Sequence, residues 1–265
     1  MLRHLSSDVA AREVLCVKGM EIWMDRKKDA AEIFSRVILA ERKIRIKLLG
    51  DSITHGVGGT GFEQNGEPIV TKFKRNPNGY CWANKFKEHM ESQFECEVVN
   101  NACTGTRIEF IIQHFDELVD AEDDIIVCTI GTNNRQQYFK DAPKHTKREH
   151  MELFYQNIIT LYEKLKANGK EVIFVANIPA SAENEKDGTD YWRLFHMNDV
   201  QDIYVKASVH CGFPLIRLYT LFLNYCEQKG ITVDSLLSDG LHPNDAGYDV
   251  IYILLMKEFG IAIKV

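Results

Sequence analysis

Asp124-Ile125-Ile126-Val127-Cys128-Thr129-Ile130 is a nearly unbroken apolar run, followed at once by Gly131-Thr132-Asn133-Asn134. A strand with one wet face alternates apolar and polar residues. A run without alternation is a strand covered on both faces, which marks a parallel sheet. Four more runs flank it in the chain. Ile44-Arg45-Ile46-Lys47-Leu48-Leu49 and Glu97-Val98-Val99-Asn100 precede it, and Glu171–Ala176 and Pro214–Leu218 follow. The first of these alternates apolar with basic residues, which predicts a less buried start.

Helical patterns fill the intervals. Leu153, Ile158, Leu161 and Leu165 recur at helical spacing and end at Asn168-Gly169, a C-terminal stop. Tyr80–Phe94, Ile108–Val119, Trp192–His210 and Ala246–Phe259 are the other helices read from the pattern. Strand and helix in alternation imply right-handed crossovers. The predicted fold is therefore α/β, a doubly wound sandwich on about five parallel strands. Residues 44–265 form that domain and residues 1–43 an N-terminal extension. Within the extension Asp29–Arg42 reads as helical, while Val14–Met24 fits more than one state. A packing helix or the contact of a homodimer are the two roles it suits.

The chain has 265 residues and a net charge of −6, with no long basic cluster. Nucleic acids and anionic membranes demand such clusters, so neither is expected as a partner. Seven cysteines are present, an odd number with no C-x-x-C pair. That usage suits a reducing cytoplasm and offers no zinc-ligand spacing. Charges interrupt every apolar run near the N-terminus, and Val250–Met256 is the longest such stretch. It is far too short to span a bilayer, so no membrane insertion and a cytoplasmic location are expected.

In open α/β sheets, ligands bind beyond the carboxyl ends of the strands. Gly50-Asp51-Ser52-Ile53-Thr54 follows the first strand, and a serine on such a turn can present a nucleophilic hydroxyl. Asp51 and Ser52 also suit a helix N-cap. Asn101-Ala102-Cys103-Thr104-Gly105 follows the second strand, and Gly131-Thr132-Asn133-Asn134 the third. An amide side chain or a glycine N–H at these points can donate to a developing oxyanion; ordinary turn chemistry is the other reading. Ser238-Asp239-Gly240-Leu241-His242-Pro243-Asn244 lies near the C-terminus. An aspartate three residues before a histidine can orient the imidazole and leave its other nitrogen free for a serine proton.

Taken in order, these four blocks resemble the SGNH (GDSL-type) hydrolases. The match rests on Gly50-Asp51-Ser52, Gly105, Gly131-Thr132-Asn133 and Asp239-Gly240-Leu241-His242, and spans residues 44 to 260. The resemblance implies a flavodoxin-like three-layer α/β/α sandwich and an esterase without metal or organic cofactor. It implies Ser52 as nucleophile, His242 as base then acid, and Asp239 as the partner of His242. The implied oxyanion hole is the N–H of Ser52, the N–H of Gly105 and the amide of Asn133. Asn134 departs from the family, which often has aspartate there. A long segment, Gly56–Asn78, is also inserted after the first block and is expected to lie over the site.

Gly56-Val57-Gly58-Gly59-Thr60-Gly61 fits a dinucleotide fingerprint in letters only. It does not directly follow a strand, and basic residues stand where the acidic partner is needed. A non-catalytic binding module on the same scaffold is the other rival. For substrate, Asp51, Tyr80, Asn134, Arg135 and Tyr138 are the expected contacts, with Tyr191 and Trp192 nearby. Aromatic faces among polar neighbours suit a glycan or other polar alcohol carrying a short acyl group, such as acetyl. Lysophospholipid and acyl-thioester substrates are the alternatives.

Overall fold

In the computed structural model, described over residues 29–62, 79–136, 146–185 and 193–263, five parallel strands form one sheet. In chain order they are β1 (Ile44–Gly50), β2 (Cys96–Asn100), β3 (Ile125–Thr129), β4 (Glu171–Val175) and β5 (Leu215–Ile216). Their order across the sheet is β2-β1-β3-β4-β5. This is the flavodoxin-like winding, with its switch point between β1 and β3.

The helices are α1 (Ala30–Ile38), α2 (Ser52–His55), α3 (Trp82–Gln93), α4 (Ile108–Gln113), α5 (Phe115–Leu118), α6 (Lys147–Ala167), α7 (Met197–Cys211), α8 (Leu218–Lys229) and α9 (Asp245–Glu258). Successive strand side chains point to opposite faces, so each strand feeds two cores. Ile46, Leu48, Val127, Ile173 and Val175 pack with residues of α1, α3, α8 and α9. Leu49, Ile126, Cys128, Val172 and Phe174 pack with residues of α4, α5, α6 and α7. The result is a three-layer α/β/α sandwich.

Most elements lie within a residue or two of the expectation, and the exceptions have local causes. The predicted helix Ile108–Val119 is broken at His114, whose φ of −106° and ψ of 30° leave the helical region. β5 is a two-residue edge strand rather than Pro214–Leu218. α8 was not expected, although Leu218, Phe222 and Cys226 are buried at helical spacing along it. At the start of β1 Arg45 is the one position that is only half-buried, as expected, whereas Lys47 is 1% exposed, because its ammonium donates to Asp120 Oδ2 at 2.8 Å and lies 3.3 Å from Asp123 Oδ2. The described part of the extension, residues 29–43, packs on the domain core. Phe34 of α1 packs on Phe259 at 4.2 Å between ring centroids. Residues 1–28, including Val14–Met24, lie outside the described residues. No helix among the described residues is long and apolar enough to cross a membrane.

Candidate active site

β1 ends at Gly50, which sits so close to Thr129 and Thr54 that a Cβ there would lie 2.4 Å from Thr129 Oγ1. The chain then turns through Asp51, in extended conformation, straight into α2. Asp51 Oδ1 accepts from the N–H of Ile53 at 3.1 Å, so the aspartate is the N-cap and Ser52 the first helical residue. A first helical residue has no intrahelical partner for its N–H. Among the described residues the N–H of Ser52 donates to no acceptor.

The loop before α9 brings the base. Asp239 Oδ1 accepts from the N–H of Leu241 at 3.0 Å and of His242 at 2.8 Å, closing a tight turn. The N–H of Ser238 donates to His242 O at 2.8 Å and narrows it further. Asp239 Oδ2 lies 2.7 Å from His242 Nδ1, and His242 Nε2 lies 2.9 Å from Ser52 Oγ. Burial pushes the Asp239 carboxyl up, but the hydrogen bonds from His242 and Leu241 outweigh it and hold the carboxyl below its usual range. An ionised carboxylate only accepts, so Nδ1 carries the proton and Nε2 offers its lone pair to the serine hydroxyl.

The glycine-rich segment after α2 serves this loop. A Cβ at Gly58 would lie 2.4 Å from Pro243 O and 3.1 Å from His242 Cβ, and one at Gly59 would lie 1.9 Å from Tyr80 O. Asp245 at the start of α9 accepts from Thr60 N and from Thr60 Oγ1, each at 2.7 Å. Tyr248 of α9 donates to Val57 O at 2.7 Å. Gly58 therefore allows close approach to the histidine loop, and Gly59 to the backbone of Tyr80. Residues 63–78, the rest of the expected overlying segment, lie outside the described residues.

The ends of β2 and β3 complete the site. Asn133 opens a short 3-10 turn after β3, and its Nδ2 donates to Thr106 O at 3.0 Å. One amide hydrogen is thus anchored beside Gly105 and the other is left over. Gly105 holds φ at +80°, with nothing within 4 Å of where a Cβ would stand. Like Ser52, it donates its N–H to no described residue. His55 of α2 approaches Thr104 Oγ1 at 3.0 Å through Nδ1, tying the two blocks together.

Four of the expected substrate contacts are engaged within the protein itself. Asp51 is fully buried, and burial raises its carboxyl to about 6 against the hydrogen bonds it accepts. Asn134 is spent on the N–H of Ile108 at 3.1 Å and on Glu109 Oε2 at 2.8 Å. Arg135 is fully buried, pairs with Glu185 Oε1 at 2.6 Å, and is lowered to about 10, chiefly by burial. Tyr80 donates to Asp249 Oδ1 at 2.6 Å, beside Lys85. Position after a strand determines the end of the sheet, not the direction of a side chain. Tyr138, Tyr191 and Trp192 lie outside the described residues. The sequence reading also passed over Asn177, which joins Asp51 Oδ2 at 3.1 Å to Thr132 Oγ1 at 2.9 Å. It directly follows the predicted strand Glu171–Ala176. Among the described residues no cluster of His, Cys, Asp and Glu could hold a metal ion.

Residues 48–250 match the GDSL-like Lipase/Acylhydrolase family. The chain is 23% identical over 219 residues to an uncharacterised protein of Mycoplasma pneumoniae (strain ATCC 29342 / M129 / Subtype 1). That stretch takes in 80% of this chain and only 22% of the length of the relative. In fold, the chain is similar to LAE5, an alpha/beta hydrolase enzyme from the metagenome of Lake Arreo, Spain. The TM-score is 0.65 at 18% identity, covering 86% of this chain and 100% of that one. It is also similar to Axe2, an acetylxylan esterase from Geobacillus stearothermophilus. Here the TM-score is 0.60 at 17% identity, covering 83% of this chain and 96% of that one. At these identities the likeness is one of fold.

Proposed function

The chain belongs to the GDSL-like lipase/acylhydrolase family, and from that membership we propose that it is a serine esterase that removes short acyl groups, acetyl foremost, from a glycan or other polar alcohol. The observation that carries the reading is the relay from Ser52 Oγ through His242 to Asp239, with contacts of 2.9 and 2.7 Å.

Ser52 Oγ attacks the ester carbonyl as His242 Nε2 takes its proton. Asp239 holds the imidazole tautomer and stabilises the imidazolium. The negative charge moves onto the former carbonyl oxygen, where the N–H groups of Ser52 and Gly105 and the spare hydrogen of Asn133 receive it. Collapse breaks the bond to the alcohol, which leaves with the proton from His242. Water then attacks the acyl-serine with His242 again as base, releasing the acid and restoring Ser52.

The choice of a short acyl group is supported by the crowding around Ser52, which is 3% exposed. It is supported as well by the fold shared with an acetylxylan esterase. The test is hydrolysis of p-nitrophenyl acetate, butyrate and octanoate by wild type and by Ser52→Ala. The expected result is a preference for acetate or butyrate and a loss of at least about a thousandfold in Ser52→Ala. Preference for octanoate moves the substrate class to long acyl chains. Equal activity of both proteins removes Ser52 from the mechanism.

A further inference from the structure

Asn177 has no part in the reaction steps above, yet it touches the residues beside two of the groups that do. It follows β4 at the carboxyl end of the sheet and is 1% exposed. Its one amide nitrogen donates to Asp51 Oδ2 at 3.1 Å and to Thr132 Oγ1 at 2.9 Å. Asp51 immediately precedes Ser52, and Thr132 immediately precedes Asn133. Thr132 also faces the Asp51 carboxyl and partly offsets the effect of burial on it. The ends of β1, β3 and β4 therefore meet at three buried polar side chains.

Apolar residues would hold three strand ends together at lower desolvation cost. Hydrogen bonds add what apolar contact lacks, a fixed length and direction. Here they fix the spacing between the peptide that carries the Ser52 N–H and the residue that carries the Asn133 amide. We propose that Asn177 is a positioning residue of the oxyanion hole, linking Asp51 to Thr132 so that the Ser52 N–H and the Asn133 amide converge on one oxygen. This rests on the serine esterase reading. Donors act on the transition state only within a narrow range of distance, so a loosened link weakens the oxyanion more than the bound ester. The loss falls on kcat, with KM little changed.

A purely structural Asn177 would cost stability and would act alike whether or not Asn133 is present. A double-mutant cycle separates the two. Asn177→Ala is made in wild type and in Asn133→Ala, with kcat and KM for p-nitrophenyl acetate and Tm measured for each. The expected result is a fall in kcat of about ten- to hundredfold in wild type but less than about threefold in Asn133→Ala. Thr132→Val, which keeps the volume and removes the hydroxyl, repeats the comparison should Asn177→Ala not fold. Equal losses in both backgrounds, no loss in either, or a loss confined to KM overturns the proposal. Ser52→Ala is assayed alongside. If it is inert while Asn177→Ala is unimpaired, only this inference fails; if it is as active as wild type, the esterase reading fails too.

Discussion

The two ends of the sheet treat buried polar groups in opposite ways. At the amino end the buried ammonium groups are paired. Lys47 is paired with Asp120 and Asp123, and the Lys170 ammonium spends its three hydrogens on Asp120 O, Ala121 O and Asp123 O at 2.8, 2.7 and 2.8 Å. At the carboxyl end donors are left over. The N–H groups of Ser52 and Gly105 have no acceptor among the described residues, and Asn133 keeps one amide hydrogen in hand. Unused donors in a crowded site cost folding free energy unless something binds there. One end of the sheet is closed by ion pairs and the other stays open to a ligand's charge.

This contrast predicts that the carboxyl end governs rate and the amino end stability. The largest effect is expected for Asn133→Ala, which removes an oxyanion donor while leaving the fold in place. Its kcat should fall by about a hundred- to a thousandfold, with Tm close to wild type. A large fall in Tm would make Asn133 a structural residue and erase the contrast. Lys47→Met is the opposite case, because it takes from buried Asp123 one of its two cationic partners and leaves Arg45, at 3.4 Å, as the other. Removing one partner of a buried pair costs about 3–5 kcal/mol. At about 2–4 °C per kcal/mol, that lowers Tm by about 6–20 °C. The kcat at a temperature where the variant is folded should stay within about twofold of wild type.

A smaller effect concerns the buried carboxyl under the nucleophile. Burial raises Asp51 from 3.8 to about 6, so the folded protein holds a proton that the unfolded chain has lost between those values. The stability gained from that proton is complete below the lower value and lost as pH rises through the higher one. Wild type should therefore lose stability relative to Asp51→Asn between about pH 4 and pH 6, in unfolding curves recorded across that range. A gain in stability of wild type relative to Asp51→Asn as pH rises would mean that the carboxyl is held ionised in the fold.

Much of this was legible in the sequence, and the reason is the sheet. Strands covered on both faces must be apolar throughout, so Asp124–Ile130 and Glu171–Ala176 stand out whatever the helices do. Alternation marks the less buried start of β1 at Arg45 but does not reveal the burial of Lys47, because its ion pair with Asp120 and Asp123 lies far away in sequence. α8 escaped because two-residue β5 leaves almost no gap before it. In the site, Ser52, Asp239, His242, Gly105 and Asn133 were readable from short blocks, and the structure brings them to one end of the sheet. Asp51, Asn134 and Arg135 stand at the same end of the sheet, but their side chains are buried and have partners within the protein. Turn geometry decides which way a side chain points, and the letters alone do not encode it. Asn177 was passed over because β4 was read for its apolar run and not for the residue beyond it.

The central claim is that Ser52 is a nucleophile made reactive by His242. A serine-reactive fluorophosphonate, followed by peptide mapping of the labelled protein, tests it without any assumption about substrate. A single adduct on Ser52 is expected, with none in Ser52→Ala and labelling slowed by at least about a hundredfold in His242→Ala. An adduct on another serine, or no adduct on a folded protein that hydrolyses esters, would contradict it.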